Sequence, residues 1–285
     1  MSTISCPLCG ADSTDLVWSE GGYDLVRCNA CSLMFVGNPP DAEELSRIYS
    51  FESGYHRQLA DDSDRASDLA RENARHHLDL IEQVQGPGHI LDVGCASGSF
   101  MREAKDRGWI VSGVELNGDT ADVARQHGLS VTTGTISAIH ADERFDAVTM
   151  WDLLEHVPNP LDVLREARKL LSPGGCLWVA TPNVDGLFPS MSLRVADWVG
   201  VWPHPEPPHH LCQFSEKTLR QALARAGFTR VDVTHERIPF GFTFGSGKQL
   251  LTEPKRLAYT AVFAPLVILG PAVSRGDSIV ACSQV

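Results

Sequence analysis

The sequence predicts an α/β protein: a mostly parallel, Rossmann-like sheet covered by helices on both faces, preceded by a small cysteine-punctuated module. Three observations carry this expectation. From His89 onward, short apolar runs alternate with helical stretches, the pattern of a parallel sheet with crossover helices. A glycine-spaced turn, Gly94-Cys95-Ala96-Ser97-Gly98, joins the first of those runs to a helix. Four of the eight cysteines stand in two Cys-x-x-Cys pairs before residue 38. The 285 residues allow one large domain or two unequal ones, at about 100–200 residues per domain. Apolar residues at 43% and charged residues at 21% exclude a disordered chain, a collagen-like repeat and a coiled coil. With 24 basic against 36 acidic side chains, the formal charge is −12. The chain as a whole lacks the basic face that neutralises phosphates, so no nucleic-acid partner is expected.

Residues 1–38 form the first unit. Cys6-Pro7-Leu8-Cys9 and Cys28-Asn29-Ala30-Cys31 are two knuckles separated by 18 residues. Such pairs converge on one tetrahedral ion, as in zinc ribbons. Four thiolates leave no open coordination position, so a zinc there is expected to fold the module, not to catalyse. Cys95, Cys176, Cys212 and Cys282 are scattered through apolar stretches and read as core packing. The start, MSTISCPLCG, has neither a basic nor an apolar leader region, so a reducing, cytoplasmic setting is expected.

Residues 39–88 read as a helical linker and cap. Asn38-Pro39-Pro40 closes the first unit, and a short helix fits Asp41 to Tyr49 with Asp41 as N-cap. Asp61-Asp62-Ser63-Asp64 reads as a solvated linker. A helix from about Arg65 to Val84 follows and stops at Gly86-Pro87-Gly88.

Residues 89–285 form the main domain. Strands are expected at Ile90–Val93, Trp109–Glu115, Leu129–Thr133, Phe145–Trp151, Cys176–Thr181, Thr229–His235 and Ser278–Ser283. Helices fit Ser99–Arg107, a stretch capped by Asp119 and ended by Gly128, Leu161–Leu171 before the turn Ser172-Pro173-Gly174-Gly175, and Glu216–Ala226 ended by Gly227. Leu257 to Ser274 carries no charge over 18 residues, but Pro265 interrupts it. Its unbroken helical part spans about 20 Å against a hydrocarbon core of about 30 Å, which favours a buried or interfacial helix. An interfacial contact through residues 257–270 is one use for it.

Ligands of such sheets bind beyond the carboxyl ends of the strands, so the chemistry is expected after Val93, Val114, Trp151 and Thr181. In ILDVGCASGSF, Gly94 and Gly98 allow close backbone approach, and the helix start offers unpaired N–H groups to an anionic end. The spacing differs from G-x-G-x-x-G, and Asp92 precedes the first glycine by two residues, which disfavours pyrophosphate. An acid there suits a ligand bearing both an ammonium and a carboxylate. Glu115 lies 23 residues after Asp92, at a strand end, the interval at which a carboxylate accepts two hydrogen bonds from a ribose diol.

This combination resembles the class I S-adenosylmethionine-dependent methyltransferases. The matching stretches are ILDVGCASGSF, VSGVELN, FDAVTMWDLLEHVPNP and LSPGGCLWVATPN, and the last two are similar to the small-molecule branch that includes quinone-biosynthesis enzymes. The resemblance implies a seven-stranded sheet with its last strand inserted antiparallel. It implies that Gly94 and the turn Cys95, Ala96, Ser97 and Gly98 cradle the methionine part of the cofactor, with Asp92 and Phe100 also among the cofactor-binding residues. Glu115 would hold the ribose and Leu116 would flank the adenine. Thr135 and Ile136 would lie near the adenine edge, and Trp151 and Asp152 would line the junction with the acceptor. The acid that many members carry in the adenine loop is replaced here by Gly134-Thr135-Ile136.

Residues 184–214 form an insert ending in WPHPEPPHHLCQF, placed to act as a lid. Methyl transfer needs alignment and removal of water above all. A hydroxyl acceptor also needs a base, and His210, His209 and His156 are the candidates. Leu187, Phe188, Met191, Trp198 and Trp202, together with Phe240, Phe242 and Phe244, suit an apolar acceptor pocket, a homodimer face or plain core. The expected reaction is O-methylation of a hydrophobic, amphipathic or sugar-containing small molecule. The alternatives are a zinc-module RNA methyltransferase, a sugar C-methyltransferase and a non-catalytic cofactor-sensing protein.

Overall fold

The computed structural model describes residues 4–48, 64–200, 202, 204–244 and 252–285. Tyr49, where the first helix was expected to end, and the linker residues Asp61, Asp62 and Ser63 lie outside them. The N-terminal strands are β1 (Thr14–Glu20), β2 (Tyr23–Cys28) and β3 (Met34–Val36), followed by helices α1 (Ala42–Ile48) and α2 (Asp64–Glu82). The main domain runs β4 (His89–Val93), α3 (Ser99–Asp106), β5 (Ile110–Glu115), α4 (Gly118–Gln126), β6 (Ser130–Thr133), β7 (Phe145–Trp151), α5 (Pro160–Leu170), β8 (Leu171–Pro182), α6 (Leu187–Val199) and β9 (Cys212–Gln213). It ends with α7 (Glu216–Ala226), β10 (Arg230–Glu236), α8 (Phe240–Phe244), α9 (Pro254–Leu269) and β11 (Ser278–Gln284).

Seven strands form the main sheet in the order β10-β11-β8-β7-β4-β5-β6. The pairs β4·β5, β5·β6, β4·β7 and β7·β8 are parallel, whereas β11 runs antiparallel between β8 and β10. Chain order reverses between β4 and β7, which opens a crevice at their carboxyl ends. Side chains alternate across the sheet as the pleat requires. Leu91, Val148, Leu177 and Ile279 pack with Leu164 of α5 and Leu219 of α7 on one face. Ile90, Ala147, Trp178 and Val280 pack with Leu78 of α2 and Ala104 of α3 on the other.

Two local expectations are corrected. The cap of α4 is Asn117, not Asp119: the Asn117 side chain accepts from the Thr120 N–H at 3.0 Å. Ser172–Gly175 is not a turn outside the sheet but a bulge within β8, where pairing shifts from Phe145↔Leu171 to Ala147↔Cys176. Gly174 takes a positive φ of 81° there.

The cysteine module is not set apart from the main domain. Strand β9 pairs antiparallel with β3 and completes a four-stranded sheet, β1-β2-β3-β9. Cys6, Leu8, Leu33 and Phe35 share one apolar core with Leu154, Phe214 and Leu219. The insert between β8 and α7 therefore returns to the N-terminal strands and adds an edge strand beside β3. Helix α6 packs on α9 through Phe188, Phe263 and Val267, with Tyr259 and Met191 alongside. No helix among the described residues is long and apolar enough to cross a membrane.

Candidate functional site

The loop after β4 is tied to the end of β5. The N–H groups of Gly94 and Cys95 donate to the Val114 carbonyl at 2.8 and 3.2 Å. The Glu115 side chain, 5% exposed, accepts from the Ala96 N–H at 3.1 Å and the Asn117 N–H at 2.8 Å. One carboxylate thus joins the glycine loop to the start of α4. Gly94 has a φ of 76°, and a Cβ there would sit 2.9 Å from Leu153 Cδ1. Both facts favour glycine. Gly98, also at positive φ, caps α3 with no side-chain acceptor, so the helix start presents backbone N–H groups.

Asp92 is buried and accepts from Thr149 Oγ1 at 2.8 Å. Burial pushes its carboxyl up to about 7; the Thr149 bond opposes the rise and the charge of Glu115 adds to it. The Cys95 side chain packs in the cluster of Met101, Ala121 and Leu129, and its sulfur lies 3.9 Å from the Ala96 carbonyl of the loop. Burial raises its thiol. The Ser97 carbonyl is occupied by Arg102, which donates at 3.2 Å.

Leu116 is 61% exposed at the lip of β5. Thr135 is exposed just after β6, the strand that pairs with β5, whereas Ile136 is buried in the core. Trp151 ends β7 and stacks on His77 of α2, with ring centroids 3.9 Å apart and planes 10° apart. Phe100 meets Trp151 edge-on at 5.4 Å. The stack lowers the freedom of Trp151, and burial pushes the His77 imidazole down to about 3, with His76 adding repulsion. Asp152 follows at a φ of 48°, its N–H bound to the Ala180 carbonyl at 3.0 Å.

The three candidate bases meet beside this crevice. A short 3₁₀ turn, Leu154–His156, follows β7. His156 Nδ1 donates to the His209 carbonyl at 2.8 Å, which assigns its tautomer because a carbonyl only accepts. His156 and His210 lie edge to face at 4.8 Å. His210 is held well below the usual imidazole range by burial and by His156, His204 and His209. Glu155 is buried, and Thr181 Oγ1 donates to its Oε2 at 3.0 Å. Donor atoms of Glu155, His156 and His210 lie within 4.8 Å of one another.

The four N-terminal cysteines also converge. Cys6 Sγ is 3.5 Å from Cys31 Sγ, and Cys9 Sγ is 3.5 Å from Cys28 Sγ. Tetrahedral zinc–sulfur bonds of about 2.3 Å place sulfurs about 3.8 Å apart, so the set matches one ion and not two disulfides.

Trp202 is core, meeting Trp18 edge-on beside Leu25 and Met34, and Phe188 and Phe244 pack on α9. Trp198 is 93% exposed. His77, Thr149, Glu155, Thr181 and His204 belong to the site region and were not singled out from sequence. Only Glu155 carried a signal, as the acid adjoining His156.

Residues 52–233 match a family described as "Methyltransferase domain". The ubiquinone biosynthesis O-methyltransferase of Coxiella burnetii is 35% identical over 154 residues, covering 51% of this chain and 65% of that protein. That of Haemophilus ducreyi is 35% identical over 106 residues, covering 33% of this chain and 45% of that protein. The chain thus spans about half to two thirds of the length of these relatives. A SAM-dependent methyltransferase structure from Thermotoga maritima aligns with a TM-score of 0.54 at 19% identity, over 85% of this chain and 98% of that one. At that identity the likeness concerns the fold, a seven-stranded α/β methyltransferase sheet.

Proposed function

This chain belongs to the methyltransferase domain family, and on that premise we propose that it transfers a methyl group from S-adenosylmethionine to an oxygen of a small-molecule acceptor. The observation that carries the reading is the pairing of the Gly94–Gly98 loop with Glu115 in one crevice, at the point where strand order reverses.

The crevice fits the cofactor on its own chemistry. Gly94 keeps the loop low, since a Cβ would displace Leu153. The uncapped start of α3 suits the ligand's carboxylate. Asp92, neutral or charged near neutrality, suits its ammonium, through the loop that it underlies. Glu115, already holding two backbone N–H groups, has remaining lone pairs for the ribose hydroxyls. Leu116 supplies an apolar surface for adenine, with the Thr135 and Ile136 backbone at its edge. Trp151, fixed between His77 and Phe100, and Asp152 border the acceptor side. When bound, the sulfonium supplies an electrophilic methyl group.

The acceptor side is lined by the histidine cluster, where neutral imidazoles suit removal of a hydroxyl proton. Oxygen is favoured as the acceptor atom by the relatives' names as O-methyltransferases. The net charge of −12 favours a small molecule over a polyanion. Exposed apolar residues on α9, among them Leu257, Val262 and Ile268, favour a hydrophobic or amphipathic acceptor met at an interface or beside a second copy of the chain. The four cysteines hold a structural zinc, which points to a reducing, cytoplasmic setting.

The test is calorimetry with S-adenosylhomocysteine, followed by transfer of labelled methyl to a panel of phenolic, lipid-like and sugar acceptors. Micromolar binding and label in an ether product support the reading. Preference for a nicotinamide or flavin, or no affinity for the adenosyl ligand, overturns it.

A further inference from the structure

We propose that the outward face of helix α9 docks antiparallel on the same face of a second copy of this chain, about a two-fold axis near Pro265. The proposal rests on no part of the methyltransferase reading.

Phe263 and Val267 turn one side of α9 into the aromatic cluster formed with Phe188 of α6 and Phe244 of α8. The opposite side of an ordinary surface helix is polar. On α9 it is apolar throughout. No side chain from Leu257 to Ser274 carries a charge. Every exposed position from Leu257 to Val273 is apolar. Leu257, Val262 and Ile268 are 50%, 64% and 54% exposed. The face is also long and unbroken. Gly270, helical at φ −47° and ψ −54°, carries α9 on into the 3₁₀ turn Pro271–Val273. At about 1.5 Å per residue, α9 alone covers about 24 Å. An apolar strip of that length marks an interaction site.

Two features select the occupant. The first is side-chain size. When two copies run antiparallel about Pro265, Leu257 of each meets Ala272 of the other, and Ile268 meets Ala261. Large side chains thus face small ones, and each relation occurs twice, as an isologous interface requires. Pro265 and Ala261, both exposed, lie near the axis and let the two backbones approach. A parallel pair sets Leu257 on Leu257 and Ile268 on Ile268, and leaves gaps at the alanines.

The second feature is charge. Glu253 stands just before α9 and Arg275 just after the 3₁₀ turn, and both are exposed. They lie on opposite sides of Pro265 at similar distances along the chain, so the antiparallel pair brings each Glu253 to Arg275 of the other copy. Arg275 has no carboxylate partner among the described residues. It donates instead to the Asp185 carbonyl at 3.0 Å and to Ser190 Oγ at 2.7 Å. Glu253 accepts from Arg256 at 2.8 Å through Oε2. A parallel pair places like charges together at both ends. A lipid surface gains nothing from an acid at one end and a base at the other. An anionic one also repels a chain of formal charge −12.

The experiment is sedimentation velocity on the full chain from about 1 to about 100 µM, the range in which an interface of one helix from each side dissociates. The expected result is a reversible monomer–dimer equilibrium. Ala261→Arg and Ile268→Lys, at exposed positions, should each leave only monomer over this range. Circular dichroism checks that they keep the wild-type helix content, and if one does not, the other gives the reading. Glu253→Arg should weaken the dimer about tenfold, since the change acts twice in a two-fold pair, and adding Arg275→Glu should recover most of the loss. If Arg275→Glu loses helix content, salt supplies the same reading: it should weaken the wild-type dimer and tighten the Glu253→Arg dimer. A wild type that stays monomeric overturns the proposal. If that monomer sediments with phosphatidylcholine–phosphatidylglycerol vesicles, the face belongs to lipid instead. A dimer that survives both Ala261→Arg and Ile268→Lys overturns the proposal as well. A dimer that those variants abolish, but that neither charge reversal nor salt affects, overturns the antiparallel arrangement.

Discussion

Replacing Glu115 by Ala tests the centre of the site, because the structure gives that carboxylate two jobs. It accepts N–H groups from Ala96 and Asn117 at 3.1 and 2.8 Å, and it is 5% exposed. Alanine leaves both N–H groups without their acceptor. At about 1–3 kcal/mol for each buried donor left unpaired, and with water recovering part of the loss, the folded state should weaken by about 2–4 kcal/mol. For a domain of this size that lowers the unfolding midpoint by about 5–15 °C. The ligand-dependent effect adds to this. Two charge-assisted ribose bonds, about 1.5–3 kcal/mol each before compensation, should reduce affinity for S-adenosylhomocysteine by about ten- to a hundredfold. Differential scanning calorimetry of the ligand-free protein reads the first effect, and titration calorimetry below the midpoint reads the second. Glu115→Gln, which keeps one acceptor oxygen but turns an amide donor toward the other N–H, should fall between. An unchanged midpoint refutes the loop-stitching account. A lowered midpoint with unchanged affinity refutes the ribose contact and leaves Glu115 as a purely structural group.

Gly94→Ala, at a φ of 76° with Leu153 Cδ1 2.9 Å from the added carbon, should weaken adenosyl-ligand binding at least tenfold, and equal affinity by calorimetry would show that the loop tolerates a side chain. His77 has its imidazole pushed from 6.5 down to about 3. The unfolded chain therefore takes up a proton near pH 6.5 that the folded chain refuses, so this contribution is complete above that pH and is lost as pH falls toward 3, at about 1.4 kcal/mol per pH unit. In urea unfolding at pH 7.5 and pH 5, His77→Phe, which keeps the stack on Trp151, should lose less stability than the wild type; an equal loss in both proteins removes His77 from the account. Stripping the zinc proposed for the four cysteines should release more than the N-terminal strands, since β9 pairs with β3. Amide exchange should rise across residues 204–214 as well as 4–36, and exchange confined to the N-terminal stretch contradicts the shared core.

Much of the main sheet was legible because its strands are mostly short apolar runs. The strand Phe145–Trp151, an apolar run between Arg144 and Asp152, and the helix Glu216–Ala226, closed by Gly227, coincide with their expected limits. The four-cysteine set was legible from spacing alone, because thiolates at that interval have few other uses. The cap of α4 was misread since Asn117 and Asp119 are both good cap residues, and only the backbone geometry distinguishes them. Strand β9 has two residues and so no periodicity to detect. His77 was invisible for a similar reason: on an amphipathic helix, nothing local separates an imidazole in water from one stacked on Trp151.

Local sequence determined which segments become strands and helices, where the glycine bend falls, and which thiolates group together, because those depend on side-chain period, turn chemistry and short spacings. The tertiary structure alone decided that an insert more than 170 residues away completes the N-terminal sheet and so carries His210 to Glu155. Such encounters depend on two surfaces becoming buried together, and no stretch of chain records the surface that it will meet.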